Sequence, residues 1–417
     1  MPLKFVFGPS GSGKSTYLYQ HVIEESEKYP LKNFIVLVPE QFTMQTQKDL
    51  VSMHPRHGIM NIDVLSFARL AYRVFEETGT KQMQVLDDEG KNLILRKIAG
   101  DYENKLTVLK GNIKKLGYIS EVKSVISEFT QYDIGEEEMD EMLDHLDEDS
   151  RLYYKLKDIR LLYEGFQDYL RERYITKEEL LDVLNSQVKE SELLKNSVVV
   201  LDGFTGFTPV QNRLILELMR CCKEVWVTVT MDERENPYAY KHPYQLFGLS
   251  KQMVTTLVRM AGEDHIEVEE PVCLYGYPVK RFEKNQELAF LERNIFRYGA
   301  GRYDKAVENL EIHAAGNPRQ EADAVAEGIR RLVRKEQYRY RDIGVIVSDM
   351  NVYGDYLEQA FENYGIPVFM DHKRSILLNS FVEYIRSLLN MAEKNFSYES
   401  VFPVSYTHLR AHETTLH

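Results

Sequence analysis

One octapeptide constrains this chain more than any other feature. Gly8-Pro9-Ser10-Gly11-Ser12-Gly13-Lys14-Ser15 satisfies G-x-x-x-x-G-K-[ST] at every fixed position, between the apolar run Leu3 to Phe7 and a stretch of helical periodicity. Glycines at these positions let backbone N–H groups converge on phosphate oxygens, and the helix that follows adds its N-terminal dipole. Lys14 neutralises β/γ-phosphate charge and Ser15 can ligate Mg²⁺. The pattern predicts an α/β fold with a parallel sheet, ATP and Mg²⁺ being held where the first strand ends. The competing reading, a glycine-rich turn that binds nothing, is disfavoured by the strand and helix on either side.

The rest of the chain organises around that unit. Phe34 to Val38 reads as a second strand, completing strand-helix-strand, and Ile62 to Leu65 as a third, before an amphipathic helix through Phe67, Leu70, Ala71, Val74 and Phe75. No proline occurs between Pro55 and Pro209, and from about Asp87 to Leu194 apolar residues recur at helical spacing. Sheet character returns at Ser197 to Leu201 and Val225 to Thr230. The expected division is therefore a sheet domain from 1–86 and 195–300, with a helical insertion over 87–194. A further α/β section, 305–402, is read as strand Glu311 to Ala314, helix Gln320 to Val333, strand Ile343 to Ser348, helix Tyr353 to Tyr364 and strand Ile366 to Met370.

Residues 403–417 break the pattern. Ser405 to Thr414 resembles translated adaptor read-through, so the native protein is expected to continue differently after about Phe402. A metal pair of His408 and His412 would lack the further ligands such a site needs.

Composition narrows the function classes. No run approaches the ~20 apolar residues of a membrane helix, and the N-terminus lacks a signal-peptide pattern, so a cytoplasmic location is the expectation. Cys221, Cys222 and Cys273 are too few for a disulfide framework or a four-cysteine metal site and read as buried, reduced thiols. A net charge of -13 argues against general polyanion affinity but leaves room for a local basic groove.

The loop alone fixes a ligand class and not a reaction. Its partner should be an apolar strand ending in a carboxylate for the Mg²⁺ shell, and Val198-Val199-Val200-Leu201-Asp202 has that form. In UvrD-like, superfamily 1 helicases the strand continues Asp-Glu-Phe-Gln-Asp-Thr-x-Pro-x-Gln. Here Asp202, Phe204, Pro209 and Gln211 match in register, while Gly203 stands where those enzymes carry the glutamate that orients the attacking water. Leu201 to Gln211 as it stands is similar to the AddB subunits of AddAB-type helicase-nucleases. So are Leu37 to Thr43 and Val64 to Leu70, at positions that face DNA in the family. Asn317 to Ala322, Asp342 to Val347 and Tyr364 to Val368 resemble the opening of a second motor-like domain. The resemblance spans residues 1 to 402.

That resemblance implies a P-loop NTPase (RecA-like) domain with a helical insertion, followed by the start of a second RecA-like domain. It implies a heterodimer with an AddA-type helicase subunit, contact with single- and double-stranded DNA, participation in Chi recognition, and double-strand-break processing for recombinational repair. The family's helicase/5′-3′ exonuclease activity needs a nuclease domain and an iron-sulfur cluster expected beyond this chain. With Gly203 in place of glutamate, no room upstream for an adenine-reading glutamine, and no late arginine motifs, ATP-Mg²⁺ should be bound and hydrolysed slowly or not at all. Three readings compete with this one. An active superfamily 1 motor would show strand-dependent ATPase, a small-molecule kinase would transfer phosphate, and a structural domain with a vestigial loop would bind no nucleotide. Pro39 to Thr43 could also be a plain capped strand-to-helix loop, Arg319 and Glu321 a solvated helix start. Tyr153, Tyr154 and Tyr163 read as packing residues, not base-stacking platforms.

Overall fold

The computed structural model describes residues 2–79, 84–113, 115–171, 174–299, 301–371, 376 and 379–402. The 403–417 tail, with His408 and His412, lies outside them. Two compact units divide at Leu310 and Glu311.

The first unit begins with β1 (Leu3–Gly8), α1 (Lys14–Lys28), β2 (Asn33–Leu37), α2 (Thr43–Met53), β3 (Ile62–Leu65) and α3 (Phe67–Thr78). There follow β4 (Gln84–Leu86), α4 (Asp88–Asp101), α5 (Leu116–Gln131), α6 (Glu136–Asp144), α7 (Arg151–Leu170) and β5 (Tyr174–Thr176). The chain then forms α8 (Leu180–Gln187), α9 (Glu192–Lys195), β6 (Ser197–Leu201), α10 (Pro209–Cys221), β7 (Glu224–Thr230), α11 (Gly248–Glu263), β8 (Val272–Cys273) and α12 (Gln286–Asn294). Boundary signals in the sequence act as they should. Ser66 accepts the Arg69 N–H at the start of α3, and Thr208 with Gln211 forms a capping box ahead of Pro209 on α10.

Six strands make one parallel sheet in the order β3-β2-β6-β7-β1-β8. Its central strands are apolar on both faces because both are covered by helices. Leu3, Phe5, Phe7, Val199, Leu201, Val225, Val227 and Val229 pack on one side, with residues of α3, α8, α10 and α11. Val6, Val36, Val198, Val200 and Trp226 pack on the other, with Leu18 and Val22 of α1 and Leu50 of α2. One strand, β7, separates β1, which feeds the glycine-rich loop, from β6, which ends beside Asp202. Both strands therefore open their carboxyl ends onto the same edge.

Helices α4 to α7 enclose a core of their own, built from residues such as Leu95, Ile98, Ile113, Met139, Leu162 and Phe166. Short parallel strands β4 and β5 close it, with Gln84 opposite Tyr174 and Leu86 opposite Thr176. Two carboxylates, one buried and one half-buried, fix this block. Glu178 pairs with the buried ammonium of Lys91 at 2.7 Å. Asp158, only 2% exposed, accepts the N–H groups of Thr107, Val108 and Leu109 at 2.9, 2.8 and 2.8 Å, and the Thr107 hydroxyl at 2.9 Å. Beyond β5 the chain joins the large sheet's core, where Leu180, Leu184, Val188 and Leu194 are buried.

The second unit contains α13 (Pro318–Lys335), α14 (Met350–Asn363) and α15 (Ser380–Glu393). Ala322, Ala326 and Ile329 of α13 pack on Leu357, Ala360 and Phe361 of α14. Two of these helices lie where periodicity predicts them. The strands predicted at Glu311 to Ala314, Ile343 to Ser348 and Ile366 to Met370 do not form. Apolar runs report burial, whereas a strand exists only when a neighbour takes its N–H and C=O groups. No ladder pairs these segments among the described residues, and Ile312 and Ile346 are 92% and 98% exposed. Among the described residues no helix is long and apolar enough to cross a membrane.

Candidate nucleotide-binding site

The octapeptide turns directly out of β1. Gly11 and Gly13 have φ of +84° and +94°, a left-handed conformation in which residues bearing a Cβ are strained. The turn is closed by the Ser12 N–H donating to the Pro9 carbonyl at 3.2 Å. Helix α1 begins at Lys14 with no side chain capping it and no acidic residue in its first turn, so its free N–H groups face the loop. Ser12 Oγ is buried without a hydrogen-bond partner among the described residues. A backbone cradle with unused donors suits a phosphate chain.

Lys14 curls back over this cradle and donates from Nζ to the carbonyls of Gly8 and Pro9, each at 2.9 Å. Burial pulls its ammonium down to about 8, opposed by Asp202 and Glu292 and reinforced by Arg281. Nucleotide phosphate would favour the ammonium form, so binding at pH about 8 should take up a proton, and affinity should fall as pH rises further. Calorimetric binding enthalpy at pH about 8 is therefore expected to vary with the ionisation heat of the buffer, and to lose that dependence near pH 6. Equal enthalpies across buffers at the higher pH would contradict a lowered Lys14. For folding the sign is opposite. Unfolded Lys14 keeps its proton up to about 10.5, so the nucleotide-free protein gains stability as pH rises from about 8 toward that value.

Asp202 follows β6 directly and is 5% exposed. Its N–H donates to Leu37 O at 2.9 Å, which ties it to the end of β2. One carboxylate oxygen accepts from Tyr19 of α1 at 2.7 Å and the other from Thr228 of β7 at 2.6 Å. Burial, with the adjacent carboxylate, pushes the Tyr19 phenol well above its usual range and keeps it a donor. The carboxylate is thus aimed from three elements into an open cleft of about 470 Å³ that Lys14 and Ser15 also line. Its remaining lone pairs, with the exposed Ser15 hydroxyl, are oxygen donors of the kind that Mg²⁺ takes. All eight loop residues and Asp202 therefore meet at one sheet edge.

Gly203 has φ +79°. Beyond it, Phe204 packs tilted and Phe207 edge-on against Phe67 at the start of α3, at centroid distances of 5.4 and 6.4 Å. The segment after Asp202 is thereby attached to Val64 to Leu70. In Pro39 to Thr43 the chain makes a short turn, Glu40–Phe42, and Thr43 Oγ1 donates back to Glu40 O at 3.0 Å instead of capping α2. Tyr163 is buried in the helical block, and Tyr153 and Tyr154 pack edge to face. The three cysteines carry free thiols, but only Cys222 is buried as expected, and that burial pushes its thiol up; Cys221 is half-buried and Cys273, on the short edge strand β8, is exposed.

Sequence reading missed four further groups. Tyr19 and Thr228 hold Asp202, and nothing in their spacing marks them. Lys280 and Arg281, on a one-turn helix after β8, line the same cleft, and no motif announces them.

Comparison with known proteins adds the context. Residues 5–292 match the family model described as "ADDB, N-terminal". The chain is 44% identical over 409 residues to the B subunit of an ATP-dependent helicase/deoxyribonuclease from Lachnoclostridium phytofermentans, covering 96% of this chain and 35% of that protein. Proteins of the same description from Clostridium kluyveri and Caldanaerobacter subterraneus are each 35% identical, over 402 and 405 residues; in both, 96% of this chain aligns with 35% and 34% of the relative. The chain thus spans about a third of the length of these curated relatives.

Proposed function

The chain belongs to the AddB family, whose N-terminal model its residues 5–292 match, and from that premise we propose that it is the ATP-binding, DNA-contacting part of the AddB component of an AddAB-type helicase/exonuclease. The whole assembly would pair AddB with an AddA-type motor and process double-strand DNA breaks for recombinational repair, AddB taking part in Chi recognition. The observation that carries the nucleotide reading is that Lys14 and Asp202 line one cleft while the residue after Asp202 is a glycine.

In this reading the N–H groups at the start of α1 and Lys14 would hold the β- and γ-phosphates, and Ser15 with Asp202 would hold the shell of Mg²⁺. The bound ion would neutralise phosphate charge and fix the chain's orientation. Tyr19 and Thr228 hold the Asp202 carboxylate in place. No carboxylate follows Asp202 to orient water, so the cycle ends at binding, and the nucleotide acts as a ligand that stabilises or switches the domain. The Phe67, Phe204 and Phe207 contact gives that ligand a packed connection to the segments expected to face DNA.

The test is titration calorimetry of Mg²⁺-ATP into the 417-residue chain, with ATPase followed with and without single-stranded DNA. Binding with negligible turnover supports the proposal, and brisk DNA-stimulated turnover would restore the active-motor reading. Gly203→Glu sharpens it. A Cβ there has room, its nearest neighbour being Pro39 Cδ at 3.7 Å, so the obstacle is the backbone at φ +79°. The substitution should cost roughly 1–2 kcal/mol of stability and leave turnover negligible, because the new carboxylate enters on a left-handed backbone. A gain of DNA-dependent ATPase in this variant would show that the glycine alone silences the site.

A further inference from the structure

The segment after β8 crosses the glycine-rich loop. Leu274 N–H donates to Phe7 O at 2.8 Å, Val279 is buried, and the Arg281 N–H donates to Gly11 O at 3.0 Å. The fit is close. A Cβ on Gly11 would lie 2.8 Å from Arg281 Cβ and 3.3 Å from its Cδ and Nε, and one on Gly13 would lie 3.4 Å from Lys280 Cδ. The side-chain stems of both cations therefore run along the two glycines that shape the cradle.

Neighbouring arginines are partnered. Arg234 pairs with Asp232, Arg297 with Asp232 and Glu235, and Arg293 lies over the Tyr277 ring at 4.4 Å. Among the described residues no carboxylate pairs with Lys280 or Arg281, although both are exposed in the cleft that Lys14 and Asp202 line. Three cations are thus gathered around one cradle in a chain of net charge -13, an arrangement that an anion of several charges would relieve.

We propose that Lys280 and Arg281 form a clamp, supplied by the same chain, on the polyphosphate of the nucleotide held by the loop. This rests on the nucleotide reading above and adds to it a second set of phosphate ligands. The clamp acts on phosphate and not on the base, so a base-free polyanion should report it as faithfully as ATP.

The experiment titrates Mg²⁺-ATP and Mg²⁺-tripolyphosphate into the full chain, comparing wild type with Lys280→Ala, Arg281→Ala and the double variant. Each single change should weaken both ligands by roughly tenfold, and the double variant should show a shallower dependence of Kd on salt. Lys280→Met and Arg281→Met retain the stems against Gly11 and Gly13 and remove only the charge, so they should weaken binding equally, with the nucleotide-free melting temperature unchanged. Unaltered Kd in the double variant, full binding by the Met variants, or a loss confined to ATP would each overturn the clamp. If the double variant binds like wild type while Lys14→Ala does not, the clamp alone fails; if wild type binds neither ligand, the nucleotide reading fails with it.

Discussion

Replacing Lys14 with alanine is expected to weaken Mg²⁺-ATP binding by about a hundredfold, roughly 2.7 kcal/mol, with little change in the fold. The ammonium is partly buried and bonded to nothing but the Gly8 and Pro9 carbonyls among the described residues. Removing it takes away the cradle's own cation without uncovering a buried carboxylate partner, because Asp202 is held by Tyr19 and Thr228. Calorimetry should therefore show lost affinity, while thermal unfolding without nucleotide stays close to wild type. Undiminished binding by Lys14→Ala would remove the loop from the site, whatever else held the ligand.

Asp158→Ala should have the largest effect on stability, about 3–5 kcal/mol within the helical block. Three successive N–H groups and one hydroxyl converge on this carboxylate. Alanine leaves these donors facing a space that it cannot fill, beside the buried Leu106, Leu109 and Ile113. Hydrogen exchange is the appropriate readout, since a chain of several units need not unfold in one step. Faster exchange concentrated at residues 105–113 and along α4 to α7 is expected, with β1, β6 and β7 unchanged. A global loss of protection would mean that this block and the large sheet unfold together. Asp158→Asn keeps one acceptor and should fall between alanine and wild type.

Local chemistry made much of this molecule readable in advance. The octapeptide, the apolar strands and Asp202 each carry a pattern that neighbouring residues enforce, and they meet at one edge because β1 and β6 are parallel and one strand apart. What escaped reading depends on tertiary placement. Tyr19 is one tyrosine among 27, and only the approach of α1 to β6 makes it a ligand of Asp202. Lys280 and Arg281 lie more than 260 residues beyond the loop they cover, and a one-turn helix has no periodicity to betray it. In the second unit the error ran the other way. Ile343 to Ser348 is apolar enough for a strand, yet apolarity cannot provide a pairing neighbour.

The short ladder of β4 and β5 has a consequence for how this chain can change. Gln84 and Tyr174 lie opposite one another, so the polypeptide leaves and rejoins the sheet domain one strand spacing apart, about 4.8 Å. Apart from ion pairs such as Asp133 with Arg213 and Lys91 with Glu178, everything between them is, to the rest of the molecule, a single loop whose ends are already joined. Lengthening such a loop costs little, since closure entropy grows only with the logarithm of its length. Descendants of this sequence are free to enlarge, trim or rebuild the intervening helices while the sheet edge that carries the glycine-rich loop stays where it is.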